Sequence, residues 1–251
     1  MKAKTLCAAV LSTLILGGTV ASAAPGDPQT TNGHVTVENG KVDPKPGVTD
    51  PEKPDEKLPD LPDVKPNPNP DMGPLEISHA PELQFGTVQT ATTEVSAFAA
   101  ANKFKNAADE EQSRGPILQF GDLRTDANGY TVQAKMTKQF TQATGTGELT
   151  GSTITFTNPY SATAAGATGT TPGFEATVEL AFNESALIAT AGNADKAGKG
   201  MWTVEYGSST NVNAEDTTGK SVQLLIPANT ASSMAGGDYV SDIEWSITAA
   251  P

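Results

Sequence analysis

The stretch 130-YTVQAKM-136 decides how this chain folds. Tyr130, Val132, Ala134 and Met136 fall on one side of an extended backbone, and Thr131, Gln133 and Lys135 on the other. Side chains alternate across a strand, so this pattern marks a strand with one face buried and the other in water. The alternation recurs on either side. "STITFT" (152–157) sets Ile154 and Phe156 against threonines, and "FEATVELAF" (174–182) aligns Phe174, Ala176, Val178, Leu180 and Phe182 as one strand. "MWTVEYG" (201–207) aligns Trp202, Val204 and Tyr206, and "VQLLIP" (222–227) aligns Val222, Leu224 and Ile226. Gly, Asn and Pro bound each run, as turn residues do between strands. The expected class is all-β, an antiparallel β-sandwich over residues 75–251, a size that suits one all-β domain. The Ala-rich, charged stretch 93–112 breaks the pattern and is expected to hold one short helix.

Ahead of this domain the character changes twice. Residues 1–23 combine Lys2 and Lys4, an apolar run from Leu6 to about Gly18, and Ala21-Ser22-Ala23, which reads as a secretory signal peptide cut after Ala23. The apolar run falls short of the roughly 20 residues a membrane span needs. Cleavage removes Cys7, the only cysteine, so the exported chain is expected to rely on its core and not on disulfides, as in a bacterium. Loss of Lys2 and Lys4 takes the formal charge from −13 to −15. Such an acidic chain repels nucleic acid and anionic membrane surfaces. With 37% hydrophobic residues it can still bury a core. Residues 24–42 form a short segment in which "HVTVEN" (34–39) alternates like one strand. Residues 43–74 carry ten prolines among Asp, Glu, Lys and Asn, and are expected to be an extended, disordered, solvated linker.

Catalytic chemistry is thinly represented. His34 and His79 are the only histidines, both are expected to be solvated, and no His or Cys follows residue 79. That excludes a Ser-His-Asp or Cys-His nucleophile and a His/Cys metal site within the rest of the β domain. The close carboxylates Glu175 and Glu179, Asp238 and Asp242, and Asp242 and Glu244 fall on polar strand faces, where exposed acids are expected without any glycosidase role. "GDLRTDANGYTV" (121–132) faintly echoes a calcium loop but lacks its distal Glu; Asn128-Gly129 reads better as a hairpin turn. No cofactor and no metal are expected.

The stretch "YVSDIEWSITAAP" (239–251) carries a family likeness. It resembles the distal motif of WxL-domain surface proteins of low-GC Gram-positive bacteria: a Tyr, five residues, then Trp-x-Leu shortly before a terminal Pro. Tyr239 and Trp245 keep the spacing, and Ile247 stands where the family has Leu. "PELQFG" (81–86) is similar to the family's Pro-x-Leu-x-Phe-Gly opening segment, and "VDPKPGVTDPEKPDEK" (42–57) to its acidic Pro-rich spacer. The family's first Trp-x-Leu falls on Tyr130 and Val132, while Trp202 and Val204 keep a Trp on another strand.

The resemblance implies an exported protein held non-covalently on the cell wall through peptidoglycan binding, assembling with other WxL proteins and a membrane-anchored partner, with adhesion as a role. The alternative it leaves is an adhesin or complex subunit whose wall attachment belongs to that partner. The residues agree with non-covalent retention: "LPDLP" (58–62) is mid-chain with no apolar tail after it, and neither a sorting signal nor a membrane span is expected at the C-terminus. The motif side chains Tyr239, Trp245, Ile247, Trp202, Val204, Tyr130 and Val132 are candidates for packing or for wall contact. Their alternation with polar neighbours favours packing, and the ligand surface is then sought on polar strand faces and on loops such as 161–173 and 207–220.

Overall fold

The computed structural model describes residues 32–59, 67–70, 73–106, 108–126, 129–163, 169–192 and 196–250. The signal peptide lies outside them, as do residues 24–31 and the linker residues 60–66, 71 and 72. Residues 37–251 form one compact unit. Of the other unit, residues 32–36 are described; they carry no strand, and Val35 is fully solvated, so the pairing expected of "HVTVEN" is not seen.

In chain order the strands are β1 (Thr49–Asp50), β2 (Lys53–Lys57), β3 (Asn67–Pro68), β4 (Leu75–Ala80), β5 (Val95–Phe98), β6 (Asn102–Lys105), β7 (Glu111–Arg114), β8 (Ile117–Asp122) and β9 (Tyr130–Gln142). They continue as β10 (Thr153–Thr157), β11 (Pro159–Thr163), β12 (Gly173–Phe174), β13 (Thr177–Leu180), β14 (Ser185–Ala191), β15 (Gly200–Tyr206), β16 (Val222–Ile226) and β17 (Tyr239–Ala249). The one helix among the described residues, α1, is the single turn Ala228–Ala231 after Pro227. Residues 93–112 instead give β5, β6 and β7, because β5 pairs with β16 and β6 with β7, and these partners outweigh the helix propensity of the alanines.

Three antiparallel sheets turn one face each to a common core. Their orders are β13-β10-β16-β5, β11-β15-β8-β4-β3 and β12-β14-β9-β17, and two hairpins, β1-β2 and β6-β7, are added to them. Edge-to-face aromatic pairs tie the sheets together: Phe120 on Tyr130 at 5.8 Å, Phe156 on Tyr206 at 4.8 Å, and Phe156 on Trp245 at 5.8 Å between ring centroids. Phe85 of "PELQFG" meets Phe140 at 6.0 Å, which fixes that segment to β9.

Two strand expectations change in detail. "FEATVELAF" divides between sheets: Phe174 in β12 pairs with β14, while Thr177–Leu180 in β13 pair with β10, and Phe182 is left exposed. β8 and β9 belong to different sheets and so are not the two arms of a hairpin, and Asn128 of the expected turn lies outside the described residues. Gly129 does take a positive φ of 83° there, and both Asp122 carboxylate oxygens are held by Arg124, the shorter contact at 2.7 Å.

The largest departure concerns the proline-rich stretch, where residues 42–59 are folded onto the sheet that contains β8. Val42, Val48, Thr49 and Asp50 are buried there, and all six residues of β8 are buried because both faces of that strand are covered. Hydrogen bonds run from Gly40 N–H to the Leu123 carbonyl at 2.9 Å, from Val42 N–H to Gly73 at 2.7 Å, and from Thr49 N–H to Gln119 Oε1 at 2.8 Å. Further on, Asn67 and Pro68 add an edge strand against Ala80 and His79, a place where a missing proline N–H costs no ladder bond.

Candidate functional site

The motif residues converge on the core side of β9, β15 and β17. Tyr130 and Val132 are fully buried, and so are Trp202 and Val204. Their polar atoms are satisfied by one acceptor. Tyr130 Oη donates to the Gly198 carbonyl at 3.0 Å, and Trp202 Nε1 donates to the same oxygen at 2.7 Å. Gly198 has a φ of +67°, and a Cβ there would lie 2.5 Å from Ala191 Cβ, so the turn before β15 is shaped around these two rings. Burial raises the Tyr130 phenol far above its usual range, with the charge of Asp122 adding to it, and burial does the same to Tyr206. Neither phenol ionises at physiological pH.

The distal motif lies on β17, the edge strand that pairs with β9. Trp245 stands opposite Ala134, and Ile247 opposite Val132. The small Ala134 leaves room for the indole, whose edge reaches across to Phe156 of the neighbouring sheet. Ile243, Trp245 and Ile247 are partly buried against the core, while Asp242, Glu244 and Thr248 face water. Tyr239 also packs partly on the core, and its hydroxyl donates to the Ala235 carbonyl at 2.9 Å.

With this arrangement in view, comparison with known proteins places the chain. The sequence model of one family, described as WxL domain surface cell wall-binding, matches residues 24–251. The chain belongs to the WxL family. It is therefore a surface protein associated with the cell wall. No curated protein and no solved structure matches the chain.

A second cluster in this WxL protein was invisible along the sequence. On the outer face of the β8-β15 layer, Arg114 is completely buried. Its Nε and Nη2 donate to the two oxygens of Asp50 at 2.7 and 2.8 Å, and its Nη1 lies 3.0 Å from Glu52 Oε2. Glu52 also accepts from the Ser209 hydroxyl at 2.6 Å, and the Phe104 ring lies 5.3 Å from the guanidinium. Burial works against the Arg114 charge, but Asp50, Glu52 and Glu205 together raise its pKa further.

Glu205 completes the cluster. It is fully buried on β15, and its Oε2 accepts from Gly115 N–H at 3.0 Å. Burial, reinforced by Glu52, pushes its pKa up to about 9, so it is a neutral carboxylic acid at physiological pH. One cation thus serves two carboxylates, and the third acid keeps its proton. Nearby, Gln119 accepts from Thr49 N–H and from the Thr203 hydroxyl, and donates to Ser78 Oγ at 2.9 Å.

His79, expected to be solvated, is 6% exposed beside Gln119 and Ser78. Burial and the charge of Lys57 lower its pKa, so it is neutral. His34 is exposed as expected. Nothing in the local pattern "MWTVEY" distinguishes Glu205 from a solvated strand acid; its partners come from residues 50, 52 and 114, far along the chain.

Proposed function

We propose that this WxL protein is exported by its leader and held non-covalently on the wall by direct binding of peptidoglycan, without catalysis. The family match over residues 24–251 carries this reading. The motif tryptophans and Tyr130 belong to the packing of the domain, so ligand contact falls to surface residues. Two observations support a role without catalysis. Glu205, the carboxyl with the raised pKa, is sealed from solvent and bonded to Gly115 N–H. The close acids Glu175, Glu179, Asp238, Asp242 and Glu244 are all exposed, on or beside β13 and β17.

The test is pelleting of the whole protein with purified peptidoglycan from which teichoic acids and proteins have been stripped. Binding to this material, released by soluble muropeptides, is the expected result. Retention on intact cells without any binding to stripped wall would hand attachment to a membrane-anchored partner. Release of reducing sugars from the pellet would contradict the non-catalytic part.

A further inference from the structure

A groove of about 640 Å³ opens where the end of β5, the β6-β7 hairpin and the loop 207–221 meet. This volume lies in the range of small-ligand sites. Three features of its lining bear on what it holds.

The first is Phe98. It is 45% exposed on an edge strand, opposite Gln223, with its ring turned away from the core that its neighbour Ala99 enters. A half-exposed aromatic beside the small side chains of Ala99, Ala100 and Ala101 leaves a flat, apolar floor. Such a floor suits the CH face of a sugar ring.

The second is charge. Lys103 and Lys220 line the groove, are exposed, and have no ion-pair partner among the described residues, in a chain whose net charge is −13. Asp216 offsets part of the Lys220 charge but forms no ion pair with either lysine, because its oxygens are engaged elsewhere. Its carboxylate accepts from the Thr218 hydroxyl at 2.6 Å and backbone N–H at 2.9 Å, and from Ser113 Oγ at 3.3 Å. Those bonds, with a smaller contribution from the Lys220 charge, hold its pKa below the usual carboxylate range. Its role is to tie the loop to β7 and so fix one wall of the groove.

The third is rigidity. Ala99 N–H donates to Val222 at 2.8 Å and Ala100 N–H to Gln84 at 2.8 Å, so the floor is held on two sides. A site with its backbone already fixed loses little entropy on binding.

Together these features call for a ligand with an apolar ring face and a nearby anionic group. We infer, resting on the wall-binding reading, that this groove is the peptidoglycan subsite, stacking an N-acetylated amino sugar on Phe98 and pairing a stem-peptide carboxylate with Lys103 and Lys220.

The whole protein is titrated with stripped peptidoglycan as wild type, as Phe98→Ala, as the double variant Lys103→Glu/Lys220→Glu, and as Lys138→Glu, an exposed charge reversal on β9. Thermal midpoints are measured on each. The inference expects Phe98→Ala to weaken binding about tenfold and the double reversal more than tenfold, with Lys138→Glu unchanged and all midpoints close to wild type, because the altered side chains are exposed. A soluble disaccharide-tetrapeptide should compete, and neutral N-acetylglucosamine oligomers should compete far less. If wild type pellets and both groove variants pellet equally well, the subsite is wrong while wall binding stands. If wild type fails to pellet with stripped wall, both readings fall. Binding restored only by unstripped wall, with teichoic acid as the competitor, overturns the carboxylate assignment in favour of a phosphate polymer.

Discussion

Substituting Arg114 by Met tests whether residues 42–59 belong to the folded domain. Arg114 Nε, Nη1 and Nη2 all reach carboxylates carried by that segment, at 2.7, 3.0 and 2.8 Å. Methionine fills much of the volume but leaves Asp50, 3% exposed, and the buried Glu52 side chain without a counter-charge. Removing one partner of a buried ion pair costs about 3 to 5 kcal/mol, because the remaining charge stays desolvated. Here two acids are orphaned, although the Ser209 and Asn211 contacts of Glu52 soften the loss. The expected cost is therefore about 4 kcal/mol, a large share of the roughly 5 to 15 kcal/mol of a typical domain. With a urea slope of about 2 to 3 kcal/mol per molar, the unfolding midpoint should fall by roughly 1.3 to 2 M. Proteolysis within residues 51–57 should become easier at the same time. Asp50→Ala should cost about 3 kcal/mol, and the double variant much less than the sum, since both changes break one contact. A midpoint unchanged within about 0.3 M for Arg114→Met would refute the claim that this segment is clamped by a buried ion cluster.

Three further outcomes follow from the same structure. Glu205, with its pKa pushed up to about 9, keeps a proton that the unfolded chain releases near pH 4.5. Its contribution is fully present below pH 4.5, and stability falls by about 1.4 kcal/mol per pH unit between there and 9. Glu205→Gln should match wild type near pH 5 and exceed it by more than about 2 kcal/mol at pH 8, read from urea unfolding at each pH; parallel pH profiles would contradict this. Gly198→Ala should cost about 3 kcal/mol, because its φ is +67° and the new methyl would meet Ala191 Cβ at 2.5 Å and Tyr130 Oη at 2.6 Å. Tyr130→Phe should cost no more than about 1 kcal/mol in a thermal melt, since Trp202 still donates to the same carbonyl.

Much of the β architecture was legible along the chain. Runs such as 130–136, 201–206 and 222–226 alternate because each has a core face and a polar face, and the structure buries the faces that the pattern selects. The motif residues were likewise readable as inward-facing: Tyr130 and Trp202 each open an alternating run, with Val132 and Val204 two positions on. What stayed hidden depends on partners distant in sequence. Glu205 reads as a solvated strand acid until residues 42–59 cover its face. Arg114 lies just after the stretch 93–112 with helical composition, and its burial follows from Asp50, 64 residues earlier. The proline-rich segment offers few apolar side chains, so its docking rests on Val42, Val48 and an ion cluster that hydrophobic periodicity does not register. The division of residues 174–182 between two sheets is set by their different partners, β14 and β10, while the alternation itself runs through both strands unbroken.

The central claim is that the family motif holds the domain together while the surface holds the wall. It is tested most directly by substituting Trp245 with Phe, Tyr and Ala in the whole protein, then measuring pelleting with stripped peptidoglycan and fraction folded on the same samples. The indole is partly buried against Phe156 and opposite Ala134, so Trp245→Ala should cost about 3 kcal/mol and Trp245→Phe about 1. The account predicts that wall retention tracks fraction folded across the series, with Trp245→Phe folded and retained. A variant that is fully folded and no longer binds the wall would show that the tryptophan touches the ligand, and would contradict the account.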